Sequence, residues 1–228
     1  MSTDIRTQLN QIDSGFDLES IMKDIEVAPE IKKSLAWRGI QYDRMDFFAT
    51  AKNNGDYLGH YHFDGHCIYN GKISEIYIQL GASSLKSASK LGFEAYDAKD
   101  IQKLPSLCVN DSDPQKKIFK ILIPTVTKGD EVSYYFSFLW PNAVPQSDKI
   151  NSDSISPKVY SFNSPLKLNY GLSLGYKANA FNVIEIDNKN LKVNKRRIKE
   201  KKEGDRWLYS FSLKNVKSDI YIPFWYTQ

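Results

Sequence analysis

The sequence EVSYYFSFLW, residues 131–140, carries the clearest secondary-structure pattern in this chain. Apolar residues recur at every second position, as expected for a strand that buries one of its two faces. The segment follows the Lys128-Gly129 turn signal and ends at Pro141-Asn142. It is therefore predicted as a half-buried β-strand. Its apolar face comprises Val132, Tyr134, Phe136, Phe138 and Trp140.

The same alternation appears on both sides of this strand. Tyr and Phe are numerous, with 14 and 12 copies, and both favour strands. Asn54-Gly55 stands between two strand-like runs and is a strong hairpin signal. The other alternating segments are LKLNYGLSLGYK (166–177), RWLYSFSL (206–213) and IYIPFWY (220–226).

The first thirty-six residues differ from the rest because their apolar residues recur at helical spacing. Ile5, Leu9 and Ile12 define a first helix, and Asp17 is a candidate N-cap for a second helix over 17–25. Pro29 suits the first turn of a third short helix. Residues 1–36 are therefore predicted as a helical N-terminal segment.

Short strands separated by turn signals, without alternating helices, are typical of antiparallel sandwiches. We predict a mainly β protein with two antiparallel β-sandwich (Ig-like) domains, at residues 37–142 and 158–228. The segment between them, 143–157, is rich in Ser, Asp, Asn and Pro, which indicates a linker or long loop. A single large sandwich or barrel is the alternative.

The bulk composition narrows the class of protein. The chain has 228 residues, of which 41% are hydrophobic and 13% aromatic, a globular composition. No apolar run approaches the length of a membrane helix, and the first residues lack the pattern of a signal peptide. Two cysteines, Cys67 and Cys108, are too few for a disulfide framework. We therefore expect a cytoplasmic protein with reduced thiols and no membrane span.

The net charge of +4 is concentrated in one segment. Residues 192–206 hold eight Lys or Arg and three acidic residues. Such a run is a candidate site for nucleic acid or another anionic ligand. The favoured interpretation is an exposed hairpin whose charges prevent association of strand edges. The candidate anion-binding residues are Lys192, Lys195, Arg196, Arg197, Lys199, Lys201 and Lys202.

The segment GHYHFDGHC, residues 59–67, contains all three histidines. As one straight strand, it would place every histidine on the same face. Asp64-Gly65 is, however, a typical two-residue turn, and a turn there would move His66 to the opposite face. The turn is the favoured interpretation, and it leaves His60, His62 and Cys67 together. These are zinc-type ligands, so they form the candidate metal site.

Sequence motifs for enzymatic chemistry are missing from the chain, which has neither a Gly-rich phosphate loop nor a G-x-S-x-G nucleophile elbow. The first hypothesis is therefore a non-enzymatic interaction module that binds a protein partner and needs no cofactor. The second is nucleic-acid or anionic-ligand binding through residues 192–206. The third is a metal-dependent enzyme, with zinc held by His60 and His62.

Overall fold

The structure is a computed structural model. It describes residues 3–12, 28–81, 86–113, 116–144, 150–152, 166–187, 192–216 and 220–226.

Among the described residues, the N-terminal part of the chain forms three short helices: α1 (Thr3–Ile12), α2 (Pro29–Lys33) and α3 (Leu35–Gly39). Pro29 begins α2, and the Ser34 hydroxyl accepts a hydrogen bond from the Trp37 amide at the start of α3. The second predicted helix, 17–25, lies outside the described residues. None of the described helices is long and apolar enough to cross a membrane.

The mainly β prediction is confirmed, since strands make up most of the described residues. A 3-10 turn, Ala88–Lys90, lies between β3 and β4. The strands are β1 (Ile40–Ala51), β2 (Tyr57–Cys67), β3 (Ile73–Gly81), β4 (Glu94–Asp97), β5 (Lys103–Leu104), β6 (Ser106–Asp113), β7 (Lys116–Val126), β8 (Glu131–Trp140), β9 (Ile150–Ser152), β10 (Lys167–Leu174), β11 (Phe181–Asp187), β12 (Lys192–Arg197), β13 (Lys199–Glu203), β14 (Arg206–Lys214) and β15 (Ile220–Tyr226).

These strands form sheets of eight, four and three strands. The eight-stranded sheet has the order β13-β14-β10-β1-β2-β8-β4-β5. The four-stranded sheet has the order β12-β11-β15-β9, and the three-stranded sheet has the order β3-β7-β6. Helix α2 packs on the three-stranded sheet, where Ala28 and Ile31 contact Ile118.

The two Ig-like antiparallel sandwich domains are not confirmed. Strand β1, from the first predicted domain, pairs in parallel with β10, from the second, through eight residue pairs from Arg44–Lys167 to Ala51–Leu174. One sheet therefore contains strands from both predicted domains. Within the predicted linker 143–157, residues 150–152 form strand β9, whereas 145–149 and 153–157 lie outside the described residues.

The predicted apolar face of β8 lies in the core. Tyr134, Phe136 and Trp140 are each 1% exposed. Phe63 of β2 stacks on Tyr134 and Phe136, with ring centroids 5.1 and 5.7 Å apart. Because the core takes one side chain in two from each central strand, the alternate side chains lie together on the other side of the eight-stranded sheet.

Candidate functional site

We call that second side of the eight-stranded sheet the outer face. The alternation of each strand and the register between strands determine which residues belong to it. Its members are Arg44, Asp46, Phe48 and Thr50 on β1; Leu58, His60, His62, Asp64 and His66 on β2; Glu131, Ser133, Tyr135, Ser137 and Leu139 on β8; Glu94 and Tyr96 on β4; Lys167, Asn169, Gly171 and Ser173 on β10; Arg206, Leu208, Ser210, Ser212 and Lys214 on β14; and Lys199, Lys201 and Glu203 on β13.

The predicted turn at Asp64-Gly65 is wrong, because β2 continues as one strand through Cys67. The facing strand β1 has a bulge between Tyr42 and Arg44. A Cβ added at Gly65 would collide with the carbonyl oxygen of Gln41. Glycine is therefore needed here for the close approach of two strands at a bulge, and not for a turn.

The straight strand separates the predicted metal ligands. Cys67 is 1% exposed and lies on the core side, whereas His60 and His62 lie on the outer face. The structure therefore does not bring His60, His62 and Cys67 together. Within the ranges that the structure describes, no three His, Cys, Asp or Glu residues are arranged to hold a metal ion.

His62 instead belongs to a hydrogen-bonded cluster on β2 and β8. Its Nε2 lies 3.0 Å from Oδ1 of Asp64 and 3.3 Å from Oγ of Ser133. Its Nδ1 lies 3.8 Å from Oδ2 of Asp46. The Ser133 hydroxyl donates to Asp64 at 2.6 Å, so its proton is directed to a carboxylate and not to the imidazole. This geometry differs from that of a serine nucleophile activated by histidine.

Asp46 is the centre of a second cluster, which joins β1 to β10 and β14. Asp46 is only 3% exposed, and its carboxylate accepts hydrogen bonds from Arg44 Nε at 3.0 Å and Asn169 Nδ2 at 2.6 Å. The Ser212 hydroxyl donates to Asn169 Oδ1 at 2.6 Å. These bonds offset the cost of burying the carboxylate. The hydrogen bond to Asp46 also raises the pKa of Arg44.

Phe48 is the exposed aromatic residue of the outer face. It lies on β1, with Gly171 of β10 on one side and His60 of β2 on the other. Its side chain is 48% exposed although β1 is a central strand. The ring lies over Gly171, since a Cβ added there would be 2.8 Å from Cδ1 of Phe48.

The basic segment 192–206 is divided between two sheets. Strand β12 is at the edge of the four-stranded sheet, and β13 is at the edge of the eight-stranded sheet. Ile198, between them, is buried. This placement agrees with the interpretation that the charges protect strand edges.

Several of the candidate anion-binding residues already have partners. Arg196 Nε lies 2.7 Å from Glu185 Oε1, and Lys201 Nζ lies 2.9 Å from Glu203 Oε1. Lys195 Nζ lies 5.4 Å from the centroid of the Phe224 ring. Lys199 and Lys202 are exposed. The side chains of Lys192 and Arg197 lie outside the described residues.

Local sequence pattern does not identify Asp46 and Phe48 as site residues. Both lie in the run MDFFA, residues 45–49. Two consecutive phenylalanines obscure the alternation, so local pattern does not show which one is buried. Phe47 is 6% exposed and Phe48 is 48% exposed, because Phe47 faces the core and Phe48 lies on the outer face.

Comparisons with known proteins show similarity in fold at low sequence identity. A candidate protease from Parabacteroides distasonis is 11% identical, with a TM-score of 0.50 over 83% of this chain and 40% of that chain. The M1 zinc metallopeptidase from Deinococcus radiodurans is 8% identical, with a TM-score of 0.48 over 83% of this chain and 42% of that chain. The chain therefore spans less than half the length of either protein.

A candidate nutrient-binding protein from Legionella pneumophila is 8% identical, with a TM-score of 0.46 over 82% of this chain and 67% of that chain. No protein-family model and no curated protein matches the sequence. At these identities the likeness concerns the fold alone.

Proposed function

We propose that this chain is a non-enzymatic binding module that holds a protein partner on its outer face, around Phe48. One observation carries this proposal: a central strand of the sheet presents a half-exposed phenylalanine among ordered polar groups. Aromatic residues are enriched at protein interfaces, and the residues that dominate affinity cluster near the centre of the contact.

The surroundings of Phe48 support this proposal because they are held in place before any partner binds. Asp46, two residues away on the same strand, is fixed by Arg44 and Asn169. His62 and Ser133 are fixed by Asp64. A surface that is already ordered loses less conformational entropy on binding.

The polar groups also match the composition expected of an interface. A protein interface combines an apolar centre with a polar rim that forms about one hydrogen bond per 100–200 Å². On the outer face, Phe48 supplies the apolar centre. Ser137 on β8 and Ser210 on β14 lie two strands away from it on either side, and Ser173 lies on the neighbouring strand β10. These serines offer hydroxyls to a partner backbone. The cytoplasmic location stays a prediction.

A selection from a phage-displayed library of random dodecapeptides tests the proposal. Peptides enriched on the wild-type protein are synthesised, and their Kd values are measured for two variants. Phe48→Ser is expected to weaken binding about tenfold or more, as for a residue at the centre of an interface. Leu107→Ser is the matched control, because Leu107 is 47% exposed but lies on β6 of the three-stranded sheet.

The two variants separate the outcomes of this selection. Retained affinity for Leu107→Ser together with lost affinity for Phe48→Ser supports the outer face as the binding surface. Equal affinity of all enriched peptides for wild type and Phe48→Ser overturns it, as does a selection that enriches no peptide.

A further inference from the structure

Three cations lie side by side on the outer face. Arg44 of β1 is the register partner of Lys167 of β10, and Lys167 is the register partner of Lys214 of β14. Neighbouring strands of a sheet lie roughly 5 Å apart, so side chains at these positions on the same face are close neighbours. Like charges in such positions repel each other and destabilise the sheet. We call Arg44, Lys167 and Lys214 the basic row.

Of the three cations, only Arg44 has an ion-pair partner among the residues that the structure describes. Arg44 Nη2 lies 2.6 Å from Asp46 Oδ2, and Asp64 is its register partner on β2. Lys167 and Lys214 are both exposed. No carboxylate among the residues that the structure describes forms an ion pair with either lysine. Two adjacent positive charges are therefore available to a ligand.

The positive charge extends along the same side of the sheet. On the outer face, β10 and β14 carry no acidic residue. Strand β13 adds Lys199 and Lys201 against the single acid Glu203, which Lys201 already contacts. The other end of the outer face, on β2, β8 and β4, is different, because it carries Asp64, Glu131 and Glu94.

The basic row and Phe48 are separated by a defined distance. Arg44 and Phe48 are four residues apart on β1, which corresponds to ~13 Å at the rise of an extended strand. An extended peptide of four residues spans the same ~13 Å. A ligand with an acidic group and an apolar side chain at this spacing can therefore reach both features at once.

We infer that the outer face binds an acidic polypeptide segment. Carboxylates of the segment contact Lys167 and Lys214, and an apolar side chain about four residues away packs on the Phe48 ring. This inference rests on the proposed function and names the chemistry of its partner. Charge complementarity of this kind increases both the rate and the specificity of association.

The distribution of charge favours a polypeptide over a nucleic acid. A nucleic acid carries a negative charge at every phosphate, so a strand lying across the sheet would also meet Asp64 and Glu94. A peptide carries carboxylates only where its sequence has Asp or Glu. It can therefore contact the acidic part of the outer face, around Asp64 and Glu94, through uncharged residues. Base stacking would need aromatic residues among the outer-face cations of β10 and β14, and these two strands carry none on that face.

Fluorescence anisotropy with defined peptides tests the inference. The first acidic probe is a fluorescein-labelled decapeptide in which two adjacent Glu residues precede a Leu, and the nearer Glu lies four positions before it. The second acidic probe has the reversed sequence. The neutral probe has Gln in place of both Glu residues. The proteins are the wild type, Lys167→Gln/Lys214→Gln, Phe48→Ser, and the control Lys72→Gln/Lys128→Gln. The control removes the same charge from exposed positions outside the outer face.

Binding of an acidic probe is expected to be about tenfold weaker for Lys167→Gln/Lys214→Gln and unchanged for the control. It is also expected to weaken with added salt, because exposed charges are screened. The inference is overturned if acidic and neutral probes bind equally, or if the lysine substitutions change nothing.

Two further results distinguish this inference from the proposed function. If library peptides lose affinity for Phe48→Ser but not for Lys167→Gln/Lys214→Gln, the acidic partner is wrong and the outer face stands. The acidic-polypeptide assignment is also overturned if the lysine-dependent ligand is a single-stranded oligonucleotide or a phosphatidylserine vesicle while both acidic probes fail to bind.

Discussion

The ring of Phe48 lies over the backbone of Gly171, its register partner on the parallel neighbouring strand. An added Cβ at Gly171 would be 2.8 Å from Cδ1 and 3.1 Å from Cε1 of that ring. Because Gly171 has no side chain, the Phe48 ring can occupy the space above it. Two strands from distant parts of the chain form the centre of the proposed binding surface together.

The first prediction concerns this contact. Gly171→Ala is expected to displace the ring and destabilise the protein by about 1 kcal/mol, since the exposed ring can rotate away. In a Phe48→Ala background the same change is expected to cost nothing. Urea unfolding of the four proteins gives the coupling energy, and additive effects would show that the ring does not occupy this position.

The second prediction concerns the buried carboxylate of Asp46. Asp46→Asn is expected to lower the free energy of unfolding by roughly 2–3 kcal/mol, because charge-assisted hydrogen bonds to Arg44 are lost. Asp43→Asn is the control on the same strand: its carboxylate is 48% exposed and contacts His66 at 2.9 Å. The control is expected to change stability by less than about 1 kcal/mol. Equal effects would contradict the role given to burial.

A third prediction follows from two tyrosine hydroxyls that lie 2.8 Å apart in the interior, those of Tyr42 and Tyr134. Burial raises the pKa of Tyr42 to about 12, and it also raises the pKa of Tyr134. In the unfolded chain tyrosine ionises near pH ~10. The stability that depends on the neutral hydroxyls is therefore complete below pH ~10 and is lost as the pH rises towards 12.

The tyrosine prediction is tested by measuring the free energy of unfolding between pH 9 and pH 12. The wild-type protein is expected to lose roughly 2–3 kcal/mol more than Tyr42→Phe/Tyr134→Phe over this range. Tyr69→Phe removes a hydroxyl from a tyrosine that is 40% exposed and serves as the control. Parallel curves for the wild type and the double variant would contradict the burial of these hydroxyls.

The fourth prediction concerns Lys117, a lysine that is 1% exposed. Its Nζ lies 2.7 Å from Oδ1 of Asp111, and this hydrogen bond lowers the pKa of the Asp111 carboxyl. Because the pKa of Asp111 is lowered in the folded protein, the ion pair stabilises the fold at pH values above the unfolded pKa of about 3.9. This stabilisation is lost as the pH falls through the pKa of Asp111 in the folded protein.

Asp111→Asn is therefore expected to be destabilising at pH 7, with a difference from wild type that shrinks below pH ~4. Adding Lys117→Met is expected to restore stability, because an apolar side chain of similar size replaces a buried ammonium. Thermal unfolding of the three proteins at both pH values provides the measurement. A pH-independent effect of Asp111→Asn would show that the ion pair is not the cause.

Part of this architecture follows from local sequence pattern. The alternation in residues 131–140 correctly predicts β8 and its buried face, because a period of two depends only on neighbouring residues. Asp64-Gly65 has the same composition as a hairpin turn, yet Gly65 is placed there by the backbone of Gln41. Nothing within residues 59–67 shows whether Gly65 is needed for a turn or for the close approach of a neighbouring strand.

The candidate site depends on contacts between distant residues, and for this reason it was missed. Arg44 and Lys167 are separated by more than a hundred residues, yet they are register partners. Neither the basic row nor the position of Phe48 over Gly171 exists until β1 and β10 pair in parallel. Local periodicity carries no information on that pairing, and the expected antiparallel sandwiches contain no such contact.

A partner is proposed to bind the outer face around Phe48, and mapping of backbone amide shifts tests this proposal most directly. A peptide enriched on the wild-type protein is titrated into the isotope-labelled wild-type protein and into Phe48→Ser. Shifts are expected in β1, β2, β10 and β14 of the wild type, centred on Phe48, and are expected to be absent from Phe48→Ser. Shifts confined to the three-stranded sheet β3-β7-β6, with the amides around Phe48 unchanged, would contradict it.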